Sequence, residues 1–483
     1  DWSYELLGEP ERKLLARLSV FAGGFTFDAA HGVCAGDGIE PGRVAALLAS
    51  LVAKSLLVAT THEHATRYRL LETIRIYAAE RLGERGETEV ARGRHRDWYL
   101  AWAERLDAEP LWTWSLRHAT DLALLEREID NLRAALAWSE QEGRLDLVGR
   151  LAASADLLWA TRCNQDEGLR WLQVACAGPP LDPVLAAQCA TVDGWITMQR
   201  GHFARMPEKA RTALDAAERA GLIAAERPEA MGPLTLAGFS QVYDDREAGR
   251  RLIRRACEIA AAHGFAEVAA YGRGYEGMLW LAEGRYHEAA TVLERVAASV
   301  HLETPRLFGI AFGAELIVAH HLAGRHDDAC GAAAAFVRAQ AERTSEPMLA
   351  TMGRASLVLA RAGAGATEDS LLELLDLFAL VARDSLPVVA HYMLTLVAAV
   401  LTLRGADEVA STILASVRAQ GDLPFRTPGH YALYRHYGQL LHRRLGDDVA
   451  RRCRDAGARL SLDAAADLAR EVAGGGVDAR AGG

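Results

Sequence analysis

A glycine-led turn returns along the second half of the chain at a nearly constant interval, and that interval limits the fold more than any other feature. Gly284 opens Gly-Arg-Tyr, Gly324 opens Gly-Arg-His-Asp-Asp-Ala, Gly363 follows, Gly405 opens Gly-Ala-Asp-Glu-Val-Ala, and Gly446 opens Gly-Asp-Asp-Val-Ala. The successive spacings are 40, 39, 42 and 41 residues. Gly201, opening Gly-His-Phe, lies 83 residues before Gly284, about two periods, with Tyr243-Asp244-Asp245 at the midpoint. A fixed period of this size makes each unit one supersecondary element that buries its apolar face only against its neighbours. Only 14 of 483 residues are Pro, and Ala, Leu, Arg and Glu dominate, so the unit is a helix pair.

The unit around Gly284 shows its internal order. Gly277 and Trp280 fall on one helix, Gly284 and Tyr286 in the turn, and Ala289 on the next helix. Small residues let paired helices cross closely, and large aromatics fill the space between units. This resembles the spacing of tetratricopeptide (TPR) repeats, with a period above their usual 34 or so, so longer helices are expected. The expected fold is all-α: a small winged-helix domain over residues 1–90, then a helical connector with the first helix pairs over 91–180. About seven TPR-like pairs over 181–473 would form a right-handed α-superhelix. Residues 474–483, beginning Gly-Gly-Gly, are expected to be a flexible tail.

The first 90 residues follow a different pattern. An amphipathic helix over 9–22 turns Leu14, Leu15 and Leu18 inward and stops at Gly23-Gly24. Thr26 is a candidate N-cap for a second helix reaching Cys34. A third helix covers about 42–53, the runs 55–60 and 67–71 flank a polar tip and predict a hairpin, and 73–85 is helical again. In DNA-binding winged helices the third helix carries basic and polar residues for phosphates and base edges. Between Arg43 and Lys54 this one reads Val-Ala-Ala-Leu-Leu-Ala-Ser-Leu-Val-Ala. Nearly apolar all round, it is expected to be buried in packing and not to read a groove.

Several function classes are disfavoured by composition and spacing. A formal charge of −10 repels phosphate backbones unless a basic face is concentrated. The cluster Arg250, Arg251, Arg254 and Arg255 is surrounded by acids and reads as a solvated face. The cysteines at 34, 163, 176, 189, 257, 330 and 453 lack the short paired spacing of zinc ligands and read as reduced, buried thiols of a cytoplasmic protein. No apolar run approaches the roughly 20 residues of a membrane span. Asp244-Asp245, Asp327-Asp328 and Asp447-Asp448 lack the third acid of a magnesium-binding cluster and recur where a second helix begins, as acids at helix N-termini do. His62 and His64 share a face of the wing with no third ligand near. His320 and His321 point apart, and all four read as surface or core-edge histidines. Without a nucleophile elbow or a Cys/His signature, no catalytic, metal or cofactor residue is expected in this chain.

Eight of the ten Trp fall between 98 and 195, among them Trp98, Trp102 and Trp138. Core packing at helix crossings is the expectation, a ligand pocket the alternative. The run His430-Tyr431-x2-Tyr434-x-His436-Tyr437 places Tyr431, Tyr434 and Tyr437 near one helix face. With Trp280 they are the candidate residues for a ligand or partner in the groove, weighed against plain packing.

Some stretches carry a closer likeness. Trp2-Ser-Tyr-Glu-Leu-Leu7, Arg17-Leu-Ser-Val-Phe-Ala-Gly-Gly-Phe25, Leu51-Val-Ala-Lys-Ser-Leu-Leu57 and Arg67-Tyr-Arg-Leu-Leu-Glu-Thr-Ile-Arg75 resemble the segment after the ATPase core in bacterial NB-ARC (STAND-class) transcriptional regulators. Glu128-Ile-Asp-Asn-Leu-Arg-Ala-Ala-Leu-Ala-Trp138 is similar to that family's linker after the winged helix, and 445–468 to its last repeat. The resemblance implies a switch: an ATP- or ADP-binding core, a winged helix leaning on the nucleotide, repeats that sense an input, and a LuxR-type or SARP-type output module. Three departures stand out. The sequence holds no Walker A motif, so ATP or ADP is expected only in an ATPase core outside it. No helix-turn-helix follows the repeats. Where eukaryotic relatives carry Met-His-Asp, this chain reads Leu70-Leu71-Glu72, which leaves Glu72 and Arg75 as the residues to face the core. Asp1 in place of Met suggests a fragment or a processed chain.

The expectation from sequence is therefore a signal-sensing and autoregulatory module. It would bind an effector small molecule or partner protein in the superhelix, dock on the ATPase core of the same protein, and neither bind DNA directly nor enter a membrane. The alternative is a TPR-type interaction scaffold without small-molecule sensing.

Overall fold

Helix α1 (Glu9–Leu18) has Pro10 in its first turn and a capping box in which the Gly8 N–H donates to Glu11 Oε2 at 2.7 Å. Glu11 also accepts hydrogen bonds from Ser50 and Lys54 at 2.5 and 2.6 Å. Burial alone would raise its pKa, but these three donors outweigh it and hold the carboxyl at about 2. Thr26 caps α2 (Phe27–Cys34), accepting the Ala29 N–H at 3.2 Å, and α3 (Val44–Ala53) follows. Strands β2 (Val58–His62) and β3 (Ala65–Arg69) form the hairpin. A two-residue strand β1 (Phe25–Thr26), too short to leave a sequence pattern, pairs antiparallel with β3 to give the order β1-β3-β2. With α4 (Glu72–Glu84) this is a winged helix.

The computed structural model describes residues 2–62, 65–107, 119–160, 164–200, 202–242, 244–265, 268–299, 307–343, 347–383, 387–419 and 427–474. Gly201, Tyr243, His64, Cys163 and the tail from residue 475, all singled out above, lie outside them, as do Trp112 and Trp114 of the tryptophan-rich stretch. Two compact units emerge: residues 1–109, 121–158 and 169–185, and residues 110–120, 159–168 and 186–483. In the first, α5 (Thr88–Leu106), α6 (Ile129–Gln141) and α7 (Leu145–Ser154) join the winged helix.

One expectation about α3 is corrected. Val44, Leu47, Leu48 and Leu51 are buried, but Ala45, Ala46, Ala49 and Ala53 are exposed. Alanine is apolar yet small enough to face solvent at little cost, so the hydrophobic count overstated the burial.

The second unit is a run of helices in which each of α8 to α18 packs on the next, and the last, α20, packs on α16, α17 and α18: α8 (Met206–Arg219), α9 (Met231–Ser240), α10 (Arg246–Ala262), α11 (Val268–Glu283), α12 (Tyr286–Ser299), α13 (Leu307–Leu322), α14 (His326–Arg343), α15 (Pro347–Gly363), α16 (Thr367–Arg383), α17 (Pro387–Leu403), α18 (Asp407–Ala419), α19 (Pro428–Gly457) and α20 (Leu462–Gly474). In each pair from α11 onward the turn is made by a glycine in the left-handed region: Gly284, Gly324, Gly365, Gly405 and Gly446. Gly363 is the last residue of α15, not the turn, and with Gly365 in its place the spacings become 40, 41, 40 and 41 residues. Gly446 lies inside α19 (φ 74°, ψ 171°) and bends it into limbs 428–445 and 447–457, a conformation open to glycine alone. Gly277 sits at a close helix crossing, where a Cβ would lie 2.8 Å from Leu293 Cγ.

The acids at the turns act as expected of helix N-termini. Asp245 accepts the Ala248 N–H at 2.9 Å, and Asp327, Asp328 and Asp407 sit in first turns. Of the described cysteines, Cys34, Cys189 and Cys453 are buried, whereas Cys176 is exposed. Trp159, Trp171 and Trp195 are buried, and Trp98, Trp102 and Trp138 are half-buried. Among the described residues no helix is long and apolar enough to cross a membrane.

Candidate functional site

The first limb of α19 is the centre of the second unit. The odd-numbered helices α11, α13, α15 and α17 pack side by side, and α19 lies against α17 on one side and against α11 and α13 on the other. The first helices of three pairs, α11, α13 and α17, which in a TPR-like array line the inner face, are thus covered by the chain's own helix. Polar groups fix it from its first residue. The Thr427 hydroxyl accepts the His430 N–H at 3.2 Å, and the Gly429 N–H donates to Glu315 Oε2 on α13 at 2.7 Å. A Cβ at Gly429 would meet Glu315 Cδ at 3.0 Å, so the carboxyl reaches the helix end only because that residue is glycine. His430 is buried, its Nε2 2.8 Å from Thr395 Oγ1 and its ring edge-on to Tyr392. Two turns on, the Tyr437 hydroxyl lies 2.7 Å from His321 Nε2, and Arg435 Nη1 donates to the Ala282 carbonyl at 3.1 Å.

Charge at this interface is set by burial. Desolvation lowers the pKa of His321 and of His430 to about 3, so both rings are neutral. Glu315 is fully enclosed, which pushes its pKa up to about 7 against the opposing pull of Thr427 and Gly429. The folded chain therefore holds a proton between about pH 4.5 and 7 that the unfolded chain releases. Its contribution to stability is present below pH 4.5 and is lost as pH rises through 7, an effect on the order of 3 kcal/mol. Melting temperature followed from pH 5 to 8 should fall more steeply for the native chain than for Glu315→Gln. Parallel curves would mean that Glu315 is not buried at the end of α19.

The residues proposed from sequence separate in space. Tyr437 is buried against α13, whereas Tyr431 and Tyr434 are half-buried and Tyr434 lies beside Arg418 of α18. Trp280 is half-buried beneath the Arg285 guanidinium, 4.9 Å from the ring centre. Glu72 and Arg75 bond to each other at 2.6 and 2.9 Å in the exposed first turn of α4. His320 and His321 point apart as read, but both are buried, because each faces another helix: His320 lies 3.5 Å from Glu294 on α12 and His321 meets Tyr437. Glu315 was missed. Its signal was a lone acid in Leu307–Leu322, a run apolar from Leu307 to Ala319 but for that residue. Among the described residues no group of three or more His, Cys, Asp or Glu is placed to hold a metal.

In the first unit the motif at 128–138 has a structural task. Glu128 accepts the Tyr99 hydroxyl and the Asn131 amide, both at 2.8 Å, and pairs with Arg67 of β3. Asn131 also takes the Ala22 N–H at 3.1 Å and donates to the Gly24 carbonyl at 3.0 Å. His95, its pKa lowered to about 4 by burial, lies 3.3 Å from Asn131 Oδ1. Five side chains, Arg67, His95, Tyr99, Glu128 and Asn131, thus join α5 and α6 to the wing through groups that could not be left unbonded in a core.

Residues 7–83 match the winged helix-turn-helix domain family. Over 171 residues the chain is 45% identical to a protein described as an HTH-type transcriptional regulator of Mycobacterium tuberculosis strain H37Rv, covering 35% of this chain and 19% of that protein. It is 44% identical over 97 residues to an uncharacterized protein of the same strain, covering 20% and 25%. The chain thus spans about a fifth to a quarter of the curated relatives it matches. Among solved structures, a signal transduction ATPase with numerous domains and a tetratricopeptide repeat sensor, from Pyrococcus horikoshii, aligns with TM-score 0.44 and 14% identity, over 83% of this chain and 61% of that one. The chain has a winged helix-turn-helix domain and homologues among transcriptional regulators.

Proposed function

We propose that this chain is the signal-sensing and autoregulatory module of a transcriptional regulator of the NB-ARC (STAND) type, controlling an ATPase switch that lies outside its own residues. The observation that supports this reading is the occupied inner face of the repeat unit. An effector or partner that prefers the open face must displace α19, and the difference between its affinities for the two states sets how far the switch moves. A ligand that binds both states equally shifts nothing. The module itself is non-catalytic in this reading, ATP or ADP belongs to the ATPase core, and Glu72 and Arg75 are the groups offered to that core.

The winged helix serves packing and not sequence reading. The outward residues of α3 are four alanines, whose methyl groups offer no hydrogen bonds to base edges. Selection from a random duplex library at physiological salt should enrich no sequence, and a recovered consensus site would overturn this part. The function itself is tested by calorimetry between this chain and an NB-ARC ATPase core loaded with ADP or with an ATP analogue. A regulator of the switch binds the two forms with affinities at least about tenfold apart. Equal affinity would leave only a scaffold.

A further inference from the structure

An open cleft of about 870 Å³ lies between α18 and the two limbs of α19, a size typical of small-molecule sites. Its floor is apolar, with Leu414 and Leu441, and its walls carry Arg418, Arg435, Arg443 and Arg454. Among the described residues none of these four guanidinium groups pairs with a carboxylate. Arg435 gives one N–H to the Ala282 carbonyl, and no acid is among the residues that line the cleft. The Tyr434 hydroxyl accepts a hydrogen bond from Arg418 and lies within charge range of Arg454. In a chain of net charge −10, four uncompensated cations around one apolar floor are not a consequence of composition. Like charges gathered in one cleft raise the local positive potential, and the planar guanidinium fork fits phosphate and carboxylate oxygens in pairs.

We propose that this cleft binds a small organic anion, its phosphate or carboxylate held by Arg418 and Arg454 and its apolar or aromatic body laid on Leu414 and Leu441. For its purpose the proposal rests on the sensory reading: a ligand here touches α18 and both limbs of α19, and so braces α19 in the closed inner face.

The test is calorimetry on the whole chain with phenyl phosphate and decanoate as the two kinds of anion, inorganic phosphate as the headgroup alone, and decyltrimethylammonium as the cation of matching chain. At least one organic anion should bind, and more tightly than either control by about tenfold or more. Arg418→Ala/Arg454→Ala should weaken that binding at least about tenfold, since each loses a charge-assisted hydrogen bond. Arg443→Gln should weaken it by a smaller factor, and Arg251→Ala, an exposed arginine on α10, should leave it unchanged. Both cleft residues of the double variant are exposed, so its melting temperature should match the native one. The proposal is overturned if neither organic anion outbinds the cation, or if the double variant binds as the native chain does. Hydrogen exchange of residues 428–445 separates the two claims. Binding that slows this exchange supports both, whereas binding that leaves it unchanged keeps the site and removes its sensory purpose.

Discussion

Glu128→Ala is expected to destabilise the winged-helix unit by roughly 3–5 kcal/mol, the range for removing one partner of a buried ion pair. The side chain of Glu128 is 7% exposed and serves three donors at once: Tyr99, Asn131 and Arg67. Its loss leaves a phenol with nothing to accept its proton and a largely enclosed guanidinium with no counter-charge. The cost is mostly the desolvation of those stranded groups and not the attraction itself. A double variant, Glu128→Ala with Arg67→Met, should therefore recover part of the loss, because the uncompensated charge is gone. Urea titration of the whole chain, followed through the tryptophans of α5 and α6, reads both. If the single variant loses less than about 1 kcal/mol, Glu128 does not hold the connector to the wing.

Gly457→Val should be the most damaging small substitution in the second unit. A Cβ there would stand 2.6 Å from the Ala415 methyl and 3.0 Å from the Ser416 backbone nitrogen, with the Thr412 carbonyl oxygen closer still. Two of these three neighbours are backbone, which cannot turn away, so the second limb of α19 must lift from α18. The expected cost is about 3 kcal/mol, at the upper end for overpacking. The loss should spread to α17 and α20, since each element in an array is held by its neighbours. Limited proteolysis should show earlier cleavage between residues 400 and 474 while residues 1–100 stay protected. Gly457→Ala, with one methyl fewer on each branch, should fall between native and Val. If Val digests like the native chain, the two helices do not approach as closely as this.

What was legible in the sequence is what depends on neighbours along the chain. The turn glycines gave the repeat because a left-handed residue is needed once per helix pair, and the two β-capable runs on either side of the polar tip 61–66 gave the hairpin. The misplacement at Gly363 arose because the segment Gly363-Ala-Gly365 holds two glycines, and only backbone conformation tells the helix end from the turn. The α3 assignment failed through alanine, which counts as apolar but settles as readily at a surface.

The return of α19 onto α11 was not legible for a different reason. Arg435 and Ala282 are 153 residues apart, and no local pattern encodes a pairing at that separation. The aromatic stripe at 431–437 was visible, but its division between a buried contact with His321 and an outward cleft depends on which helices lie on either side. Glu315 left only one trace, an acid where the helix pattern called for none.

The proposed switch requires α19 to occupy the inner face of the repeats. Residue-resolved hydrogen exchange on the whole chain measures this directly, since protection follows the free energy of opening each segment. Amides of residues 430–445 should exchange as slowly as those of α17, whose residues 389–402 are buried throughout. Glu315→Ala should speed the exchange of 430–445 and leave α17 protected. If 430–445 in the native chain exchange as fast as an exposed terminal helix, the inner face stands open and the self-occupied array proposed here does not exist.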